Sequence, residues 1–526
     1  MALQEVSLLK TYVSAPWTNW SGNQRGGAQY MKPRNPEEIA AAILQAEQDH
    51  KPLKAIGSSF SASAAAKSDG YVVDTSDLKN IVAIGLPRLA TAYPKARRNN
   101  LVLVEAGIKL HQLAEQLWAK NRSLPTLGGS IGQSLAGVIM TSTHGADLKH
   151  SSVAGMVRAI HLVGTNGQQY WLEDPKRPVT SNYSLSRYLP RYSRNLRIIR
   201  ETEAFQSALV SVGRCGIVYS YIIEVEDHFK LDERRIKSSW RAVRDHLKTA
   251  AHSGDWLQYM QKAFGQPPKM TGVNAQLRSF DIALNPEDNG PAWINGRWKT
   301  PTDASGKLPG DYNMGNGPDY ERDGKTLEAV QALDHLGLAD FLSLAKIGYH
   351  IQLGDKPVEK RGRNYHITSS FPQPTYKNYQ DMYNHFWKSK KARFLEVFFN
   401  AEEDNYLAYV ERLFELYRRG NAGTQAGYIA IRFTSRSEAP LAMQQWKHTV
   451  AIEIVMLEGF SGTEVGLVFA IQEAANLGAI FHWGMLLNKQ PKKIDLETWR
   501  RGAQRLGIRK GDVFSSSFTR EHGLEP

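Results

Sequence analysis

Residues 128–145 read Gly-Gly-Ser-Ile-Gly-Gln-Ser-Leu-Ala-Gly-Val-Ile-Met-Thr-Ser-Thr-His-Gly. This stretch holds five glycines, interleaved with Ser134, Ser142 and Thr143. Because glycine has no Cβ, such a backbone can approach a ligand closely, and the hydroxyl groups add hydrogen-bonding capacity along it. The stretch therefore predicts main chain laid along an extended polar ligand.

Two more glycine-containing stretches flank it. Residues 57–63, Gly-Ser-Ser-Phe-Ser-Ala-Ser, directly follow the apolar segment Leu53–Ile56, and residues 213–217, Gly-Arg-Cys-Gly-Ile, lead into the strand predicted at Val218–Val225. Successive N–H groups and serine hydroxyls suit phosphate oxygens. Residues 57–63 match neither a P-loop nor the Gly-x-Gly-x-x-Gly fingerprint. The three stretches together predict a site for a large nucleotide cofactor.

The chain's length and composition are those of a globular protein with at least two cores. It has 526 residues, of which 42% are hydrophobic and 22% charged. No apolar run reaches the ~18 uncharged residues that span a bilayer, so no integral membrane segment is predicted. The N-terminus lacks a basic segment followed by an apolar stretch, so no signal peptide is expected.

The cysteine count and the charge exclude further classes. Cys215 is the single cysteine, which rules out an internal disulfide or a multi-thiolate metal site and favours a cytoplasmic location. We predict no metal site, and we expect Cys215 to be a small packing residue. The net charge is +13, but the basic residues are scattered along the sequence and no nucleic-acid-binding module accompanies them. No nucleic-acid partner is therefore predicted.

Periodicity predicts an α+β fold without repeats. Asn35-Pro36-Glu37-Glu38 is typical of a helix start, and Asn166-Gly167 suits the turn of a hairpin over Arg158–Leu172. Residues 402–418 predict an amphipathic helix. Residues 283–324 are dense in Gly, Pro, Asn and Asp, which predicts an irregular insertion. Its aromatic residues form either an apolar lid or exposed loop filler; they are Trp293, Trp298 and Tyr312.

Two strands of strict alternation follow, over Tyr428–Thr434 and Val450–Met456. Arg432 and Glu453 each lie among apolar neighbours on these strands. Nothing local neutralises either charge, so the two side chains are candidate partners for each other.

Ordered motifs along the chain resemble the FAD-linked oxidases of the vanillyl-alcohol oxidase superfamily, and most closely the alditol oxidase and aldonolactone oxidase branch. The resemblance covers most of residues 15–225 and 395–490. The motifs are Trp17 to Gly22, Ala55 to Ser63, Asp74 to Leu78, Glu105 to Gly107, Ala136 to Gly145, Gly213 to Ile217, Ile431 to Thr434 and Phe481 to Gly484.

The resemblance implies an FAD-binding domain in two parts and a substrate domain with a large antiparallel sheet flanked by helices. The boundaries it implies are residues 1–228, a substrate domain over 229–484, and a tail over 485–526 that returns to the FAD domain. It also implies cofactor-binding residues. The pyrophosphate would be held by Gly57, Ser58, Ser59, Phe60 and Ser61. The flavin would be lined by Ser134, Ser142, Thr143, His144 and Gly145. The adenosine would be held by Gly213, Gly216 and Ile217.

The chain departs from this branch at three positions. Many relatives bind the flavin covalently through a histidine where this chain has Phe60, so non-covalent FAD is predicted. Ala430-Ile431-Arg432 replaces the usual Glu-x-Arg, and Met485 replaces the lysine after His-Trp-Gly. The resemblance therefore supports the cofactor more firmly than the substrate.

The predicted catalytic residues are Arg432, Glu453 and His482. Arg432 stabilises developing negative charge or grips substrate oxygen, unless it forms only a structural ion pair. Glu453 replaces the missing carboxylate as base, or is simply the ion-pair partner of Arg432. His482 contacts the flavin, or is a hydrogen-bonded core histidine. His144 fixes loop geometry, and Glu396, which also lies among apolar residues, is left unassigned.

These observations predict an FAD-dependent oxidoreductase that removes hydride from a CH–OH carbon of a small alcohol, sugar alcohol or lactone. Electrons pass to oxygen or another acceptor. A bulkier alcohol or an amine is the alternative substrate. A non-catalytic FAD-fold or carbohydrate-binding protein is the alternative of another class. The oligomeric state is left open.

Overall fold

The computed structural model describes residues 13–128, 130–189, 195–227, 229–264, 277–284, 291–300, 359–364, 392–418 and 427–526. The predicted α+β class, with a large antiparallel sheet flanked by helices, is confirmed. Among the described helices, none is long and apolar enough to cross a bilayer.

Two sheets occupy the N-terminal part. The four-stranded sheet has the order β1-β2-β4-β3, and the six-stranded sheet has the order β10-β9-β8-β11-β6-β5. A short pair, β7 with β12, lies beside them. The strands are β1 Val13–Thr18, β2 Arg25–Met31, β3 Leu53–Ile56, β4 Tyr71–Asp74, β5 Ile81–Ile84, β6 Leu101–Glu105, β7 Arg122–Ser123, β8 Val157–Val163, β9 Gln169–Glu173, β10 Leu196–Ile199, β11 Ile217–Glu224 and β12 Glu226–Asp227.

An eight-stranded antiparallel sheet follows, with the order β16-β13-β15-β14-β18-β19-β17-β20. Its strands are β13 Lys230–Ser239, β14 Leu277–Leu284, β15 Pro291–Thr300, β16 Glu359–Asn364, β17 Ala392–Asn400, β18 Gly427–Ser435, β19 His448–Leu457 and β20 Ile480–Phe481. Chain neighbours are often apart in the sheet, since β17 lies between β19 and β20.

The described helices are α1 Pro36–Gln48, α2 Leu110–Trp118, α3 Leu135–Met140, α4 Asn182–Tyr188, α5 Thr202–Leu209, α6 Trp240–Ala251, α7 Trp256–Phe264, α8 Asn405–Arg418, α9 Thr463–Asn476, α10 Leu496–Arg505 and α11 Ser517–Glu521. Two local predictions are confirmed. Asn35 caps α1, because its Oδ1 accepts the Glu38 N–H at 2.8 Å. The antiparallel pair β8–β9 turns at Asn166 and Gly167, which both adopt positive φ.

The eight-stranded sheet has two different faces because successive strand residues point to opposite sides. Ile429, Ile431 and Phe433 of β18 belong to an apolar core shared with α6, α7, α8 and α9. The other face carries Ala430, Arg432 and Thr434. Phe398 and Ala451, from β17 and β19, join the core of the N-terminal sheets on this second side. Polar residues of this face are therefore enclosed between the sheet and the N-terminal part.

The predicted irregularity of residues 283–324 is wrong where the structure describes them. Residues 283–284 end β14, and residues 291–300 form β15, which pairs with both β13 and β14. Trp293 and Trp298 are fully buried on β15 rather than in a lid or an exposed loop. Residues 285–290 and 301–324, with Tyr312, lie outside the described residues.

The C-terminal residues pack on the N-terminal sheets. Leu53 N–H donates to Val513 O at 2.7 Å, and Lys54 Nζ donates to Phe514 O at 2.8 Å. Arg214, fully buried within the third glycine-containing stretch, pairs with Asp512 at 2.7 Å. These contacts fix residues 213–217 against the tail.

Candidate active site

Three charged side chains share the enclosed face of the eight-stranded sheet. Glu396 of β17 lies directly opposite Glu453 of β19, and Glu453 lies opposite Ala430 of β18. Arg432 follows two residues later on β18, so it projects from the same face. All three charged residues are buried. The strand register thus gathers an arginine and two carboxylates at one place in the interior.

Arg432 bonds to both carboxylates. Its Nη2 donates to Glu453 Oε2 at 2.6 Å, and its Nη1 donates to Glu396 Oε1 at 3.2 Å. The expected pairing of Arg432 with Glu453 is therefore present. Glu396, which had no assigned role, is the second partner. Two carboxylates on one guanidinium leave an excess negative charge that other groups have to balance.

Two histidines lie beside Glu396. His144 Nε2 is 3.3 Å from Glu396 Oε1, and His482 Nε2 is 4.0 Å from Glu396 Oε2. His144 arrives from the glycine-rich stretch 128–145, and His482 directly follows β20. The Phe398 ring packs near both imidazoles, at centroid distances of 5.1 and 6.2 Å. We call Glu396, Arg432, Glu453, His144 and His482 the buried charge cluster.

Burial and neighbouring charges shift the pKa values of the cluster in different directions. Burial raises the pKa of Glu453, and the charge of Glu396 raises it further against the opposing effect of Arg432. For Glu396, burial acts upward, but His144, His482 and Arg432 outweigh it and lower the pKa to about 2. Burial lowers the pKa of His482 to about 4. Glu453 is therefore the carboxylate that more readily takes a proton.

The Gly57–Ser61 turn lies against the segment that carries His482. Ser59 adopts a positive φ of 54°, and its carbonyl accepts the Trp20 N–H. Just beyond the turn, Ala62 N–H donates to Gly484 O at 2.8 Å. Phe60 stacks on Trp20 with 5.6 Å between ring centroids. The predicted pyrophosphate turn thus lies beside the His-Trp-Gly motif.

Helix α3 connects the three glycine-containing stretches. Its N-cap is Ser134, and a Cβ on Gly57 would lie only 2.0 Å from Ser134 Oγ, so only glycine fits there. At the other end of α3, Met140 O accepts the Val212 N–H at 3.2 Å, which places Gly213 next to the helix. The structure therefore brings the stretches together.

The other predicted cofactor residues lie around this helix. Ser142 has a positive φ of 53°, and its Oγ donates to Gln444 Oε1. Thr143 N–H donates to Val138 O, and a Cβ on Gly145 would lie 2.3 Å from Leu127 O. Ile217 begins β11 and is buried. Several of these positions thus have a structural reason for their residue type, independent of any ligand.

Two features of the turns fit an elongated phosphate-bearing group. Ser58 Oγ is buried and makes no hydrogen bond to the residues that the structure describes, so a donor or acceptor there is free for a ligand. Gly213 has a φ of 71° and open space where a Cβ would stand. Gly216 has a φ of 131° and lies against Val163 O, which explains the glycine by backbone packing alone.

A second polar group lies on the same face of the sheet and was not predicted. Asp281 of β14 lies opposite Arg432 and is fully buried. Its carboxylate accepts from Arg297 Nη1 at 2.6 Å and from Asn295 Nδ2 at 2.8 Å. Among the described residues, no group of three or more His, Cys, Asp and Glu is arranged to hold a metal ion.

Glu396 and Asp281 have the same sequence signal as Arg432. Each is a single acidic residue in a run of apolar residues, Phe394-Leu395-Glu396-Val397-Phe398 and Phe280-Asp281-Ile282. A charge at an interior position of a buried strand requires a partner. The sequence could not show that β17 lies between β19 and β20, and this order is what brings Glu396 to Arg432.

Part of the chain is similar in sequence to known proteins. The family described as "FAD binding domain" matches residues 28–173. D-arabinono-1,4-lactone oxidase of Eremothecium gossypii is 24% identical over 250 residues, which are 46% of this chain and 41% of that protein. L-gulono-1,4-lactone dehydrogenase of Mycobacterium tuberculosis is 27% identical over 248 residues, 47% of this chain and 49% of that protein. The chain thus aligns with less than half the length of these relatives.

Solved structures share the fold across nearly the whole chain. Cholesterol oxidase from B. sterolicum superposes with a TM-score of 0.65 at 13% identity, covering 98% of this chain and 97% of that one. A chitooligosaccharide oxidase superposes with a TM-score of 0.61 at 9% identity, covering 97% and 94%. The predicted resemblance to FAD-linked oxidases and the predicted FAD cofactor are confirmed.

Proposed function

We propose that this chain, which is similar to an FAD-binding domain and to lactone oxidases over part of its length, is an FAD-dependent oxidoreductase acting on CH–OH donors. The observation that supports this most is the buried charge cluster. It joins a base with a raised pKa, a guanidinium and two imidazoles, and two of its members come from the predicted cofactor-lining segments. Titratable groups held this way in an interior are typical of a reactive centre.

The three glycine-containing stretches are the proposed FAD-binding residues. The Gly57–Ser61 turn, with the unbonded Ser58 Oγ, suits the phosphates, and Gly213 leaves open space beside α3. FAD held by these residues would supply a hydride acceptor for the substrate carbon. Phe60 offers no nucleophilic nitrogen, so we propose that the FAD is held non-covalently.

The residues of the cluster have separate proposed roles. Glu453 accepts the hydroxyl proton of the substrate, because burial favours its protonated form. Arg432 holds Glu453 in position and stabilises oxyanion character on the substrate. His482, whose Nδ1 accepts the Gly484 N–H at 3.0 Å, keeps its other ring nitrogen directed at the cluster.

The substrate class follows from the relatives and the departures from them. The aligned relatives are named for sugar lactones, so a small alcohol, sugar alcohol or lactone is proposed. Ala430 and Met485 leave this chain without two charges of that branch, which favours a less polar donor within the class. Oxygen or another small oxidant is the proposed electron acceptor, and the lone cysteine still favours a cytoplasmic location.

Anaerobic mixing with a panel of alcohols, lactones and amines tests this function. We expect at least one CH–OH donor to bleach the oxidised flavin spectrum. Reduction by amines alone would replace the alcohol with an amine as substrate. An oxidised spectrum that persists with every compound would indicate an FAD-fold protein without this activity.

A further inference from the structure

His144 holds its two ring nitrogens in different surroundings. Nδ1 lies 2.8 Å from the carbonyl oxygen of Gly145. A carbonyl can only accept, so Nδ1 carries a hydrogen. In a neutral imidazole the other nitrogen then carries a lone pair. That nitrogen, Nε2, is buried, makes no hydrogen bond to the residues that the structure describes, and lies 3.3 Å from Glu396 Oε1.

A neutral His144 would therefore place a lone pair 3.3 Å from a carboxylate oxygen in the interior. Two acceptors facing each other without a hydrogen are unfavourable where water cannot intervene. A hydrogen on Nε2 turns the same contact into an attractive one. Glu396 does not supply this hydrogen as a neutral acid, because Arg432 Nη1 donates to the same Oε1 at 3.2 Å and stabilises its charged form.

The charge count of the cluster leads to the same conclusion. Arg432 brings one positive charge against the negative charges of Glu396 and Glu453. His482 stays neutral, because its Nδ1 accepts the Gly484 N–H and Nε2 carries the hydrogen. Glu453 is charged in this count because Arg432 Nη2 donates to its Oε2 at 2.6 Å. With both carboxylates charged, a proton on His144 makes the cluster neutral. The nearby Asp281 has its own cation in Arg297, and Tyr428 on β18 stays a neutral phenol because burial raises its pKa.

We infer that His144 is a resident imidazolium paired with Glu396, so that Glu453 is the carboxylate left to accept the substrate proton. Glu396 is then a positioning residue, which holds His144 and Arg432 without exchanging protons itself. The pKa of Glu396, lowered chiefly by His144 against burial, and the raised pKa of Glu453 agree with this division. The division of roles rests on the proposed function, whereas the charge of His144 does not.

Nitrogen-15 NMR of histidine-labelled, deuterated protein tests the charge directly, one pH unit above the ordinary histidine pKa of about 6.5. His144 is assigned by the signals that vanish in His144→Gln. We expect both of its nitrogens to be protonated, whereas His482 should be neutral with its hydrogen on Nε2. Glu396→Gln removes the negative charge beside Nε2, so His144 should become neutral with its hydrogen on Nδ1, which faces the Gly145 carbonyl. A neutral His144 in the unaltered protein would overturn the inference.

Flavin reduction by an active donor tests the division of roles. Glu453→Gln should slow it at least about 100-fold, as loss of a general base does. Glu396→Gln, which keeps the length and shape of the side chain, should slow it less than about tenfold. A loss in Glu396→Gln as large as that in Glu453→Gln would overturn the division. If no donor reduces the flavin, the proposed function fails while the NMR result still decides the charge of His144.

Discussion

Glu396 and Glu453 lie directly opposite each other on neighbouring strands, and Arg432 on the next strand hydrogen-bonds to both. This arrangement is unusual because two buried carboxylates repel at such close range. The two carboxylates are stable at this distance only because positively charged groups lie between and beside them. We therefore propose two tasks for the guanidinium: it stabilises the sheet, and it prepares the proposed reactive centre.

Replacing Arg432 by alanine should impair both tasks. Flavin reduction should fall at least tenfold, about 1.4 kcal/mol in activation free energy, while FAD stays bound. The free energy of unfolding should fall by about 3–5 kcal/mol, because a buried charge pair is broken. Stopped-flow reduction and chemical denaturation measure the two effects.

Arg393→Ala is the matched control, since Arg393 lies on the same strand as Glu396 but is partly exposed and pairs with Glu458. It should change stability by less than about 1 kcal/mol and leave reduction unchanged. Unchanged reduction kinetics in Arg432→Ala would remove Arg432 from the site.

Flavin reduction should depend on pH through Glu453. Burial and the charge of Glu396 raise its pKa, so the base is lost to protonation at a higher pH than an ordinary glutamate. The rate should rise with pH, with a midpoint above the usual glutamate value of about 4.3. Anaerobic reduction rates across pH give this midpoint. A midpoint at or below the usual value would show that Glu453 is not the limiting base.

Stability should fall as pH drops from about 6.5 to 4. His161 and His482 are buried, and burial lowers the pKa of each to about 4. The folded state binds fewer protons than the unfolded state in this window, so lower pH favours unfolding, by roughly 3 kcal/mol per histidine. His161, which bonds Gln169 far from the charge cluster, allows a clean variant.

His161→Phe should reduce this loss of stability by roughly 3 kcal/mol, about the contribution of one histidine. Urea unfolding at several pH values measures it as a slope, which does not depend on the variant's stability at neutral pH. An identical slope in the variant and the unaltered protein would show that His161 titrates normally in the fold.

Acid denaturation should release all the FAD into solution. Phe60, in the proposed pyrophosphate turn, stacks on Trp20, and its phenyl ring has no nucleophilic nitrogen. Absorbance of the supernatant after precipitation measures the released fraction. Yellow colour that stays with the precipitate would contradict non-covalent binding.

The sequence predicted elements with regular periodicity and strong local signals. Three features depend only on neighbours within a few residues, so their patterns are visible in the sequence. They are the helix start at Asn35, the turn at Asn166 and the alternating strands around Arg432 and Glu453. The pairing of Arg432 with Glu453 followed because two isolated charges on buried strands need a partner.

The features that the sequence did not predict depend on contacts between segments that are distant in the chain. β15 was mistaken for irregular chain because its flanks are rich in turn-forming residues, although tertiary packing holds Trp293 and Trp298 in the sheet. The sequence predicted only that His144 fixes the geometry of its loop, because Glu396, which it contacts, lies 252 positions later in the chain. Such meetings arise from strand order, which local patterns do not encode.

The flavin content of the purified protein tests whether the three glycine-containing stretches bind FAD. The three glycine-containing stretches around α3 should hold one FAD per chain. The ratio of flavin to protein absorbance should therefore correspond to one FAD, either as purified or after incubation with FAD. A protein that is colourless, and stays colourless after incubation with excess FAD and removal of the unbound cofactor, would contradict the account.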